Sequence, residues 1–157
     1  MATKTKIKIS DNMELRKLLD AEYEKSSQVR LCKYGILLAQ HILEKIQYED
    51  LNNPIIREGY AVNKSWQNGT ERMHDVRQAG FKIHQLAKNS PNAITQAALR
   101  VVGQAVATGH MREHAMVASD YAIKVINLMF PDDSNAVKEE RLWQIGHLKS
   151  IADTGCS

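Results

Sequence analysis

The chain has 157 residues, 43% hydrophobic and 25% charged, with 8 Gly, 3 Pro and a net charge of +3. That is the composition of one globular domain, long enough to bury roughly 68–70% of the surface its unfolded form exposes. A disordered tail, a disulfide-stapled secreted fold and a basic phosphate-binding protein are disfavoured, because Cys32 and Cys156 form no framework and 21 basic residues meet 18 acidic ones. No apolar run is long enough to span a membrane, and Lys4, Lys6 and Lys8 lead into no apolar signal segment. The expected compartment is the cytoplasm, and neither nucleic acid nor membrane is an expected partner.

Almost nothing alternates with period 2, and Pro and Gly fall at helix boundaries, so the expected fold is all-α. The reading is a single-domain bundle of about seven helices, antiparallel neighbours joined by short turns. Residues 1–10 are a flexible lead, 11–152 the helical domain and 153–157 a tail. Asp11 with Glu14 makes a capping-box start for a first helix to about Glu24. Ser26 and Ser27 cap a second, to about Gln47. Asn53 before Pro54 opens a third, which runs through Trp66 and ends at Gly69 in a left-handed position. Thr70 opens the fourth. Ser90 before Pro91 opens a fifth with one apolar stripe through Ile94, Ala98, Val101 and Ala105. A sixth runs from about His110 to Phe130, where Pro131 stops it, and Ser134 caps a seventh.

The second and sixth helices carry apolar residues on more than one flank, which predicts that residues 28–46 and 111–129 are the two most buried helices and touch each other. Small residues are dense from Ala97 to Ala122, so helix axes can approach closely. Arg30 and Asp120 are charges set in these apolar helices. A buried ion pair between them is one reading, and two side chains at a wet helix edge is the other. Asp132 and Asp133 suit the positive end of the last helix, and Glu139 and Glu140 read as its solvated face.

Candidate chemistry is sparse. The chain has no P-loop, dinucleotide fingerprint, nucleophile elbow or C-x-x-C pair, so no catalytic residue and no cofactor is assigned. Cys32 lies on an apolar helix stripe, where a thiol acts as a small hydrophobe. His110 and His114 are four residues apart and could share a metal, with His41, His74 or His84 as further ligands. The glutamate that a zinc-protease helix places after its first histidine is here Met111, however, so a structural role is favoured over a metal site. The turn around Thr108, Gly109 and His110, with Arg112, Glu113 and His114 following, combines an exposed glycine, free backbone N–H groups and both signs of charge. It is the expected part of a recognition surface or small polar pocket, the alternative being an ordinary helix–helix turn.

The segment from Val101 to Ile126 carries more. Gly103, Ala105, Val106, Ala107, Thr108, His110, His114, Tyr121, Ala122 and Lys124 form a block that resembles the signature of the immunity-five-like family of bacterial polymorphic toxin systems. Arg30, Cys32, Ala39, the Trp66 to Gly69 spacing and the series Arg77, Ala79, Phe81, His84 also resemble it, so the likeness covers residues 26–130. Gly109 departs from the alanine usual there. The resemblance implies an all-helical, non-enzymatic protein that protects a bacterium by binding a toxin. The alternatives are a small helical metal-binding or enzymatic protein using His110 and His114, and a helical scaffold acting as a homo-oligomer.

Overall fold

Side chains that accept from backbone N–H groups two or three residues on set most of the helix starts. The computed structural model describes residues 2–153, and these form seven α-helices and no strand. Helix α1 (Met13–Glu24) is capped by Asn12, which accepts from Leu15 N, and not by Asp11, whose carboxylate is spent on Arg141. Ser27 caps α2 (Gln28–Lys45), and Asn53 with Pro54 starts α3 (Pro54–Gln67), both as the sequence predicts. Gly69, at φ +77°, ends α3 with Thr70 N reaching back to Ser65 O. Thr70 therefore closes α3 and does not open α4 (Met73–Lys88), whose N-cap Arg72 makes no side-chain cap. Asn92, and not the expected Ser90, caps α5 (Ala93–Ala107) by accepting from Thr95 N, while Ser90 N donates to Ala87 O in the turn that ends α4. Helix α6 (His114–Met129) starts four residues later than predicted. Asp133, and not Ser134, caps α7 (Ser134–Ser150).

Helix α5 is the centre of the bundle. It packs on α2, α3, α4 and α6, while α7 covers α2 and α6 and α1 lies on α7. The expected contact between α2 and α6 is present, but the expectation that they are the two most buried helices is corrected. Nine of the fifteen residues of α5 are buried, including Ala98, Val101, Val102, Ala105 and Val106. Missing side chains make this possible. A Cβ on Gly35 of α2 would stand 3.3 Å from the Ala105 backbone, and one on Gly80 of α4 would stand 3.4 Å from Gly103 O and Ala107 Cβ. Buried Cys32 lies in this core, and burial pushes its thiol up to about 12, in keeping with its reading as a hydrophobe. Cys156 is outside the described residues.

A polar network runs through the other side. Arg16 of α1 grips Asp120 of α6 with two bonds, Nε to Oδ1 at 3.1 Å and Nη2 to Oδ2 at 3.0 Å. Fully buried Arg141 of α7 donates to Asp120 (2.8 Å), to both oxygens of Asp11 (2.9 and 2.6 Å) and to Gln144 Oε1 (2.9 Å). Burial opposes the Arg141 charge, but Asp11 and Asp120 outweigh it and hold its pKa above the ordinary value. Ser119 Oγ spends its proton on Ala115 O, so Tyr34 donates to it, at 2.6 Å. Glu140, read above as solvated, is buried and bonded to His41 at 2.8 Å.

The Arg30–Asp120 pair is therefore corrected on one side only. Asp120 is a buried ion-pair residue, but its partners are Arg16 and Arg141. Arg30 instead donates to Leu148 O and Ile151 O at 2.9 Å each, placing a cation on the carbonyl end of α7. The lead segment is tied down as well: Thr3 N and Oγ1 bond Asp20, and Ser10 bonds Asn127. Asp153, expected in the tail, accepts from Ser27 N and Oγ. Among the described residues no helix is long and apolar enough to cross a membrane.

Candidate functional site

The α5–α6 turn is built from the end of α5 outward. The last carbonyls of a helix need partners, and here buried Asn63 donates to Val106 O at 2.8 Å and Gln28 to Thr108 O at 2.8 Å. Thr108 Oγ1 bonds back to Gln104 O, and His110 N and Met111 N both return to Ala107 O. Gly109 is buried, contrary to the exposed glycine expected. A Cβ there would lie 2.9 Å from Val76 Cγ1 and 3.4 Å from Trp66, so the residue serves a close approach of the turn to α3 and α4. Residues 108–113 are thereby held in turns, which is why α6 begins only at His114.

This turn closes one end of a cavity of about 350 Å³ between α4, α5 and the start of α6. His84 of α4, Gln104 of α5, His110 of the turn and His114 of α6 line it, with Phe81 and Met111, 48% and 46% exposed, at its mouth. Gly103 makes the room: a Cβ there would stand 2.6–2.9 Å from three atoms of the His84 ring. His114 Nδ1 lies 2.6 Å from Gln104 Oε1, an oxygen that only accepts, so Nδ1 carries the proton. Gln104 Nε2 faces His84 Nε2 at 3.5 Å, a distance too long for a strong bond.

Most of the remaining imidazole capacity is unused. His84 Nδ1 is buried without a partner, the ring nitrogens of His110 have no protein partner among the described residues, and neither does His114 Nε2. The His110 and His114 rings stack at 5.8 Å between centroids. Burial, with Arg100 and His114 nearby, lowers the His84 pKa to about 4. Burial, then His110, also lowers that of His114, so both rings are neutral at pH 7. Arg77 lies over Phe81, its Cζ 5.0 Å from the ring centroid, and Lys6 reaches Glu113 at 3.9 Å.

Of the residues singled out in the sequence, His110, Glu113 and His114 come together in this cavity, and Thr108 and Arg112 do not. Thr108 is fully buried as the end of α5. Arg112 points to the opposite side of the turn, donating to Tyr23 O at 2.8 Å and Ser26 O at 2.7 Å while stacking on Tyr23. The residue that sequence reasoning missed is Gln104, which sits in an apolar stripe and joins two histidines. Its only signal was polarity between Gly103 and Ala105. Among the described residues no group of three or more His, Cys, Asp or Glu side chains is placed to hold a metal ion.

A larger opening, about 390 Å³, lies between the start of α1 and the α6–α7 turn, but its Asp11 serves Arg141 and its Asp133 caps α7. No curated protein and no solved structure matches the chain. A family model described as "Imm-5 like putative immunity protein" matches residues 21–151, a span wider than the 26–130 of the sequence resemblance, and the chain belongs to that family.

Proposed function

We propose that the chain binds a toxin protein in the bacterial cytoplasm and neutralises it by occupying its surface, with no reaction of its own. The family match over most of the chain carries this reading. The cavity at the α5–α6 turn supports it, since exposed Phe81 and Met111 around hydrogen-bonding groups without partners are the ingredients of a protein interface core. The recognition face centres on His110, Glu113 and His114, joined by Arg77, Phe81 and Met111 of the same cavity.

The test is protection. Toxin domains drawn from the gene's neighbourhood are each expressed in a bacterium with and without the chain. Restored growth together with a copurifying complex supports the reading; growth arrest in the presence of the folded chain, with no complex, refutes it.

A further inference from the structure

The cavity that supports this reading also says what chemistry it accepts. Arg77 lines it and lies over Phe81, Lys6 stands 3.9 Å from the Glu113 carboxylate at its edge, and Arg100 opposes charge on His84. Among the described residues Glu113 is the one carboxylate lining it, and it already faces Lys6. The field therefore favours a negative group. The wall supplies a donor for one, since an imidazole carries at least one N–H in either charge state and the His110 ring has no protein partner for its own among the described residues. Phe81 and Met111 give the mouth an apolar lip.

We propose that the cavity receives an aspartate or glutamate side chain of the partner protein, its carboxylate held by His110 and His114 and a neighbouring apolar residue set against Phe81 and Met111. The proposal rests on the toxin-binding reading for its source of the carboxylate. It carries a proton requirement. His114 Nδ1–H is committed to Gln104 Oε1, so His114 can offer a second donor only by taking a proton on Nε2. The groups facing that ring are His110 and Glu113 from the turn, Lys6 from the lead segment, Gln104 from α5 and His84 from α4. Burial, then His110 and Lys6, oppose the added charge and Glu113 favours it, and an arriving carboxylate tips that balance toward the charged ring. Binding thus takes up a proton and tightens as pH falls.

The experiment uses the isolated chain and small probes: phenylacetate, its uncharged analogue phenylacetamide and the cation phenethylamine, titrated at pH 7.5 and pH 6 while the imidazole nitrogen resonances are followed. Phenylacetate is expected to shift His84, His110 and His114 saturably, with a Kd on the order of 10 mM for a probe of that size. It should bind about tenfold tighter at pH 6. His114→Gln, its amide spectrum otherwise unchanged, should lose that pH dependence. Equal binding of phenylacetamide, preference for phenethylamine, or no saturable shift with phenylacetate at pH 6 overturns the proposal. Because no toxin is present, a negative titration beside successful growth protection rejects the carboxylate chemistry alone. A positive titration beside failed protection rejects the toxin reading alone.

Discussion

Two regions of this molecule gather polar side chains between helices, and they end differently. Between α1, α2, α6 and α7, Arg16, Arg141, Asp11 and Asp120 satisfy one another inside the fold, and Tyr34, Ser119 and Gln144 extend the same network. Around the α5–α6 turn, His84, His110 and His114 share one short bond to Gln104 and leave other ring nitrogens without partners beside exposed Phe81 and Met111. A closed network has no capacity left for a ligand and acts as architecture. An open one keeps that capacity at the surface, at some cost to stability.

The contrast breaks most visibly at Arg141. Replacing it by alanine leaves Asp120 and Asp11 buried with fewer charge partners, a change that costs about 3–5 kcal/mol. Against a typical domain stability of about 5–15 kcal/mol, urea unfolding should show a chain near the edge of folding. A loss under about 1 kcal/mol would mean that water reaches these carboxylates.

The histidine region predicts a smaller and pH-dependent effect. The folded His84 pKa, about 4, lies below its ordinary 6.5, so the folded state binds fewer protons between those values. The stability this group contributes is present above pH 6.5 and is lost as pH falls toward 4. His114 adds in the same direction. Allowing for the partial exposure of the ring, the loss across that window is on the order of 1–3 kcal/mol. His84→Gln should flatten this limb in a series of urea melts, whereas a limb of unchanged slope would assign it to other groups.

Which parts were legible follows from the range of the forces involved. Helix identity, the Asn53–Pro54 start and the Gly69 stop depend on residues within one turn, and the sequence shows them directly. At the first and fifth helix starts an asparagine one or two residues beyond the expected cap takes the position: the Asp11 carboxylate is engaged by Arg141, and Ser90 belongs to the turn that ends α4. The pairing of Asp120 was illegible. Its partners lie 104 and 21 residues away, and the low apolar asymmetry of α7 hides that Arg141, Glu140 and Gln144 face inward. Arg30 was weighed as its partner, and Arg16 and Arg141 were not, because local composition does not say which helix end a guanidinium will meet. The histidine spacing located the turn, but the His84 cradle depends on a missing Cβ at Gly103, a meeting of α4 with α5 that only the fold makes visible. The period-2 pattern of Thr3, Thr5, Ile7 and Ile9, half-buried between exposed neighbours, marked an extended docked segment and was available in the sequence.

The division between closed and open regions is tested most directly by calorimetric titration of two double variants of exposed apolar residues with a toxin that the chain protects against. Phe81→Ala with Met111→Ala removes the lip of the histidine cavity; Leu18→Ala with Leu142→Ala removes comparable exposed surface from α1 and α7. The first should weaken binding at least about tenfold, or 1.4 kcal/mol, with an unchanged thermal midpoint, and the second should leave affinity as it is. Full affinity in the first variant with a loss in the second would place the partner on the closed side of the molecule and contradict the assignment.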